Sequence, residues 1–511
     1  METKRFHQNP CYLPLDSKQL NFDNGVTTMR HWKQIFSKKK VLITGLIAIF
    51  ILMGGVSVVY FFSYDFISNL IYRWQLDELE APGKGDVILL VAPHPDDEAL
   101  SSCHLVRQAL AKGAQVKLVM ITNGDGFIEA AEMYYKKPKV SPELCREYAM
   151  MRQQETIAAV ATMGIAEEDI VFLGFPDGGI ESMLQDNWYS NEPYTNPYTL
   201  LAHTAYPNAY EQGVSYTGEG IVRVLATLLR EVRPNVIIMP HPNDHHPDHR
   251  SVNAFMQLAA AQAETKDFQA MLYLVHHGSW PTPWVRDSQL HLVPPAAFES
   301  IDTKWRALDL SPADAISKGR TIELYESQTM VLGILMYAFE RRNELFGELS
   351  SASLEFGDID KAELGQPSEI VLHDPLEDNI NQYQFPAADI VKVYAMAGDS
   401  GGMRLAAETN TREKVVQEWR LLCFYIEAGK LHRLEISING EQVTALENGM
   451  EIDTTELEVG FADNRVDVSI PAEILGEHSS YYLTLASYHK GKLVDTTALR
   501  ELIVSQGLAL Q

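Results

Sequence analysis

The stretch Val87-Ile88-Leu89-Leu90-Val91-Ala92-Pro93-His94-Pro95-Asp96-Asp97-Glu98 reads as a buried strand running straight into one imidazole and three carboxylates. The residues that follow, Ala99 to Leu110, have helical spacing and stop at Gly113. In open α/β sheets, ligands bind where strands turn into helices. Crowding carboxylates there costs energy unless something positive lies between them. A divalent metal is the simplest such partner. A second cluster answers the first about 150 residues on: His241-Pro242-Asn243-Asp244-His245-His246-Pro247-Asp248-His249. It follows another buried run, Val236-Ile237-Ile238-Met239. Two strands that each end in His and Asp predict one metal site built from both.

Working outward, short apolar runs (Val87–Val91, Val116–Ile121, Ile170–Leu173, Val236–Met239, Met271–Val275) alternate with helical stretches at 98–112, 143–163, 219–232 and 249–264. This predicts an α/β fold, a Rossmann-like, mostly parallel sheet with helices on both faces. The Gly-rich dinucleotide fingerprint is missing after the first strand, which disfavours a nucleotide cofactor. Residues 180–215 are rich in Tyr, Asn and Pro and read as a long functional loop. Residues 312–347 read as one long helix or a broken pair. Around 348–384 the composition turns to Gly, Ser, Pro and acids, a linker. Beyond it the period becomes two: Leu434, Ile436 and Ile438 alternate, and Asn439-Gly440 supplies a tight turn. That predicts a C-terminal all-β, sandwich-like domain over 385–511. Its aromatics Trp419, Phe424, Tyr425, Tyr481, Tyr482 and Tyr488 suit a core better than a sugar-stacking face.

At the other end, residues 1–40 read as a polar cytoplasmic tail. Val41 to Tyr64 holds no charged residue in 24 positions, long enough for a transmembrane helix. The alternative is a cleaved signal peptide, whose apolar region is usually shorter. Arg30, Lys33, Lys38, Lys39 and Lys40 precede the span, whereas only Arg73 and Lys84 follow it closely. The positive-inside rule then predicts a single-pass protein of the cell membrane, its N-terminus cytoplasmic. A stalk at 65–85 would carry an extracytoplasmic catalytic domain at 86–347. The net charge of −26 excludes a nucleic-acid partner. Cys11, Cys103, Cys145 and Cys423 form no CxxC pair, so neither a zinc ribbon nor a redox motif is available.

The donors converge in principle. His94 and Asp97 are three apart across a strand-to-helix turn, and His246 and His249 repeat that spacing. Asp96 and Asp248 are spare carboxylates. Hydrolytic zinc sites use three protein ligands, a base and a group that steadies the oxyanion, and this set is large enough for every role.

The two motifs His94-Pro95-Asp96-Asp97-Glu98 and His246-Pro247-Asp248-His249 resemble the signatures of the PIG-L/LmbE-like deacetylase family. Thr122-Asn123-Gly124-Asp125-Gly126, Arg152, Glu155, Leu173 to Gly179, Lys318 and Ser327-Gln328 match as well, so the similarity covers roughly 86–345. The resemblance implies zinc-dependent removal of an N-acetyl group from an N-acetylglucosamine-type sugar. By position it makes His94, Asp97 and His249 the metal ligands and Asp96 the general base. It makes His246 a cation that stabilises the oxyanion and helps protonate the leaving amine, its ring held by Asp248, and it makes Arg152 and Asp177 sugar contacts. Other divalent metals suit the same donors. With the predicted anchor, the partner would be an N-acetylated surface polysaccharide or glycolipid. Two other readings are a catalytically inactive, membrane-tethered glycan-binding protein and a metal-dependent esterase. His245 reads as a loop histidine, with a competing metal ligand as the alternative; His276 and His277 follow the last sheet strand and read as structural, with a place at the site edge as the alternative.

Overall fold

The computed structural model describes residues 76–265, 267–359, 363–375, 385–399, 401–411 and 414–504. The expected tail, the apolar run 41–64 and most of the stalk lie outside the described residues. Among the described residues, no helix is long and apolar enough to cross a membrane. The expected single-pass topology, with its cytoplasmic N-terminus and extracytoplasmic catalytic domain, is corrected accordingly. The helices described bury an apolar face on a sheet and keep charge on the other. The helix Gly218–Val232 buries Ile221, Val222, Leu225 and Leu229 and leaves Arg223, Arg230 and Glu231 outside.

Residues Asp65–Gln511 form one compact unit. Its first part is built on an eight-stranded sheet: β1 (Asp77–Glu78), β2 (Val87–Ala92), β3 (Gln115–Thr122), β4 (Ile170–Phe175), β5 (Val236–Pro240), β6 (Gln269–Tyr273), β7 (Lys304–Asp309) and β8 (Asn343–Glu348). The spatial order is β1-β7-β8-β6-β5-β2-β3-β4. The run from β4 through β3, β2 and β5 to β6 is parallel throughout. Chain order reverses between β2 and β5, which pair directly, with Leu90 opposite Ile238. Such a reversal opens a crevice at the carboxyl ends of the strands. β8 pairs antiparallel with both β6 and β7. β8, held inside the sheet between β6 and β7, is what the helical reading of 312–347 overlooked.

The helices are α1 (Asp97–Ala111), α2 (Ile128–Tyr135), α3 (Pro142–Met163), α4 (Ile180–Gln185), α5 (Gly218–Val232), α6 (Pro247–Ala263), α7 (Pro312–Ile322) and α8 (Glu326–Tyr337). The region 312–347 is therefore a broken pair of helices followed by β8. Alternate residues of β2 serve two cores. Ile88 and Leu90 pack with Cys103, Val106 and Val160 on one face. Leu89 and Val91 pack with Leu225, Leu229, Val252 and Phe255 on the other. A fully buried parallel strand needs apolar side chains in both directions, which is why its sequence shows no alternation.

The second part is β-rich. Two antiparallel sets of strands are joined through Ala352–Gly357, which pairs in parallel with Arg500–Val504 and with Ile390–Gly398. Their inward side chains share one core, including Trp419, Tyr425, Leu434, Ile436 and Leu483. The stretch read as a linker contributes Ala352–Gly357 and Ile370–His373 to this unit. Among the described residues, only Ile370–His373 of these two strands lies at an edge, pairing with Ile390–Gly398 alone. Asn439 pairs with Gln442, and Gly440 in the turn between them has φ 62°. Trp419, Phe424, Tyr425, Tyr481 and Tyr482 are buried. Phe424 packs not on this core but on Trp188 of the first part, with ring centres 5.0 Å apart.

Phe255 of α6 stacks on the other side of Trp188 at 6.1 Å and is fully buried. Truncating it, Phe255→Ala, leaves a cavity where the two parts meet, and stability should fall by about 3–5 kcal/mol. A urea midpoint within a few tenths molar of the parent would show that this junction carries little of the fold.

Candidate functional site

The site lies where β2 and β5 end. Asp96 precedes α1 with φ 129° and ψ −27°, an unfavourable backbone for a residue with a Cβ. Two contacts hold it there. Arg152 of α3 donates to the carbonyls of Pro95 (2.6 Å) and Gly124 (3.1 Å). The Asp96 N–H donates to Glu98 Oε2 at 3.3 Å, and Tyr325 closes on the other Glu98 oxygen. The strained turn puts Asp96 and Asp97 side by side at the crevice floor. α6 begins at Pro247, directly after His246, so its first turn brings Asp248 and His249 back to the same place.

Three donor atoms converge there. His94 Nδ1 lies 3.2 Å from His249 Nε2. Asp97 Oδ2 lies 3.2 Å from His249 Nε2 and 3.5 Å from His94 Nδ1. Ligand atoms held about 2.0–2.1 Å from a tetrahedral zinc ion sit about 3.3 Å apart, so this triangle has the size of a zinc face. The outer nitrogens are held too. His249 Nδ1 faces Asp244 Oδ2 at 3.3 Å. His94 Nε2 faces Asp177 Oδ1 at 3.1 Å and Asp248 Oδ2 at 3.2 Å. A carboxylate on the far nitrogen keeps the proton there and turns the lone pair inward, the usual support of a metal-binding histidine.

The electrostatics agree. Burial opposes charge on His94, yet Asp177, Asp248 and Asp97 hold its pKa well above the ordinary value. Burial likewise opposes charge on His249, but Asp97 and Asp244 raise it to about 9. Asp97 is held well below the carboxylate range by the two imidazoles, against the effect of burial. A pocket that favours positive charge at its centre favours a cation. Asp96 differs. Burial and the neighbouring Asp97 push it up to about 7, with Arg152 3.7 Å away and the imidazoles pulling the other way.

His94, Asp97 and His249 come together as the sequence suggested, with Asp96 and His246 beside them. The His94 and His246 ring centres are 4.6 Å apart. Two expectations change. The Asp248 carboxylate meets His94 and the N–H groups of Gly178 (2.7 Å) and Ile180 (3.1 Å), rather than the ring of His246. His246 Nδ1 instead accepts the Asp248 N–H at 3.2 Å. A nitrogen that accepts carries no proton, and burial together with His94, His249 and His276 lowers its pKa well below the usual value. This environment favours the neutral ring over the cation that the resemblance implies. Arg152 spends its terminal nitrogens on backbone carbonyls, and Asp177 Oδ2 accepts the Gly126 N–H at 2.9 Å.

Some residues carry more than the sequence reading gave them. Asp244 accepts the N–H groups of His246, Val275 and His276, at 2.9–3.0 Å, besides facing His249. Its signal was its place two residues before His246 at a strand end. Asp125 accepts the Tyr206 hydroxyl at 2.6 Å and so ties the long 180–215 segment to the site. His276 brings a donor atom within 4.8 Å of those of Asp97 and His249. His245 does not join the site. Its Nδ1 accepts the Gly278 N–H at 2.9 Å and its ring stacks on His277. The isolated matches are structural: Lys318 pairs with buried Glu344 at 3.1 Å, and Ser327 Oγ donates to Glu155 at 2.6 Å.

Known proteins point the same way. Residues 89–260 are a PIG-L family domain, described as GlcNAc-PI de-N-acetylase. The 1D-myo-inositol 2-acetamido-2-deoxy-alpha-D-glucopyranoside deacetylase of Kribbella flavida is 28% identical over 185 residues, 36% of this chain and 56% of its own. That of Geodermatophilus obscurus is 29% identical over 164 residues, 32% of this chain and 48% of its own. The chain thus spans about half the length of the curated relatives it matches. Among solved structures, the N,N'-diacetylchitobiose deacetylase of Pyrococcus horikoshii is similar at 16% identity and a TM-score of 0.33, over 56% of this chain and 90% of its own.

Burial pushes two histidines behind the site down to about 3, His241 and His277. Their unfolded value is about 6.5, so between pH 6.5 and 3 the unfolded chain binds more protons than the folded one. Stability should be whole above pH 6.5 and fall as the pH drops, each ring adding a slope of up to about 1.4 kcal/mol per pH unit. Thermal melts from pH 7.5 to 4.5 measure this. The double variant His241→Gln/His277→Gln should show a flatter fall, and an unchanged profile would contradict the assignment.

Proposed function

We propose that this protein is a zinc-dependent N-deacetylase that hydrolyses the acetamide of an N-acetylglucosamine-type sugar. The observation that carries the reading is the triangle of His94, Asp97 and His249, with the Asp96 carboxylate beside it, 3.7 Å from Arg152. The family domain and the deacetylases named among its relatives support it. Two imidazoles and one carboxylate are a donor set suited to zinc. Zinc held there would lower the pKa of water and polarise the acetamide carbonyl.

The chain's own groups supply the proton transfers. Asp96 takes the proton of the attacking water; a base with a pKa near the working pH serves best. His246 accepts at Nδ1 and so presents Nε2–H, a neutral donor for the oxygen that gains charge as the carbonyl is attacked. Asp96 then gives the proton to the departing amine nitrogen, and acetate and free amine are the products. Asp248 and Asp177 keep the His94 lone pair aimed inward, and Asp244 does the same for His249. The surface polymer or glycolipid expected as carrier rested on the membrane topology, and with that corrected the proposal stops at the sugar.

The test is acetate release from N-acetylglucosamine oligomers by the full chain. Chelator should abolish it and zinc restore it. Asp96→Ala should keep its metal and lose at least about 10²-fold in kcat, whereas His249→Ala should lose the metal. Full turnover by Asp96→Ala would remove Asp96 from the chemistry. Acetate release from an O-acetylated sugar but not from these N-acetylated oligomers would mark an esterase instead.

A further inference from the structure

One short helix connects the β-rich part to the candidate site. α4 is six residues long, too short to hold its shape alone. At its start, the N–H groups of Gly178 and Ile180 fix both oxygens of Asp248, which in turn faces His94. On its flank, Glu181 accepts from Arg250 of α6 at 3.0 and 2.5 Å, tying it to the helix that bears Asp248 and His249. At its end, the carbonyl of Gln185 accepts from Arg433 Nη2 at 2.9 Å, and Asp186 accepts from Arg420 Nη1 at 2.7 Å.

Both arginines belong to the β-rich part, on the paired strands Glu418–Glu427 and Lys430–Asn439. Glu435 aligns them, lying 2.7 Å from Arg433 Nη1 and 3.4 Å from Arg420 Nε. Arg433 is only 3% exposed, and its guanidinium lies 5.7 Å from the Trp188 ring centre. Trp188 fills the space that a Cβ on Gly218 would need, 2.2 Å away, so the chain just after α4 has one seat. The last carbonyls of a helix have no partner within it, and cations are favoured at that end. Here those partners come from residues some 235–248 positions away.

We infer that Arg433 and Arg420 are positioning residues of this site: by clamping the end of α4 they fix Asp248, and through it the metal-facing nitrogen of His94. The β-rich part is then a piece of the site's scaffold. The turnover arm of the test rests on the deacetylase reading. The metal arm does not.

The experiment compares full-length R433A, R433K and R420A with Gln257→Ala. Gln257 joins α6 to the β-rich part through the Leu499 carbonyl at 3.2 Å, and its other hydrogen bond goes to Asn253 of α6 rather than to α4. Each protein is loaded with zinc, and two quantities are read: kcat and KM for acetate release, and the rate at which a chelator strips the zinc. Small misplacements at a reactive centre are costly, so R433A should lower kcat about tenfold with KM nearly unchanged. It should also lose zinc several-fold faster. R420A should move both readouts the same way by less, R433K should recover part of each, and Gln257→Ala should match the parent. Arg420 lies nearer the surface, so R420A carries the test if R433A does not fold. The inference is overturned if the arginine variants match Gln257→Ala, or if losses simply follow the melting temperature across all four. Should the parent release no acetate, zinc stripping alone still decides whether the clamp acts on the site.

Discussion

Everything at the site depends on two parallel strands lying side by side in register. Leu90 of β2 faces Ile238 of β5, and chain order reverses between them. The chain therefore leaves β2 for one side of the sheet and β5 for the other, and a crevice opens between their ends. Both polar motifs begin there, and each is followed at once by a helix. The geometry explains why donors about 150 residues apart share one point.

The buried charge is divided unequally, and the division separates holding from reacting. Asp248 accepts two backbone N–H groups, Asp244 three and Asp97 one, from His94 at 2.9 Å. Such bonds hold a carboxylate still. Among the described residues, no hydrogen-bond donor reaches the Asp96 carboxylate, and Arg152 stands 3.7 Å off. Its raised pKa follows from burial and the neighbouring Asp97. The same residue carries the strained backbone, which points its side chain into the crevice instead of onto the first N–H groups of α1. A capping role would have stabilised the helix and used up the base.

The β-rich part changes how the first part should be understood. The strands Glu418–Glu427 and Lys430–Asn439 do not merely rest against α6. Through Phe424, Arg420 and Arg433 they complete the burial of Trp188 and the end of α4. A chain ending near residue 347 would leave the Gln185 carbonyl and the Trp188 ring without those partners. Buried polar groups without partners are expensive, and a single helical turn has little with which to compensate.

The sequence by itself determined the central parallel strands, the helices between them, the switch to β structure and the two donor-bearing motifs, while the choice of His94, Asp97 and His249 among their donors came from the family resemblance. Those features follow from local periodicity and from short spacings within Pro93–Glu98 and His246–His249, where neighbours in sequence are neighbours in space. Only the tertiary structure decided the rest. The short strands β7 and β8 gain their stability from pairing with distant partners, so their local pattern is weak. The partner of the Asp248 carboxylate, the environment that favours a neutral His246 and the support that Asp244 gives His249 depend on which backbone N–H groups and rings arrive from other segments. The clamp on α4 joins residues more than 230 apart. No spacing in a single chain encodes such a contact. It exists because two folded surfaces meet, and an arginine's long side chain reaches across where they do.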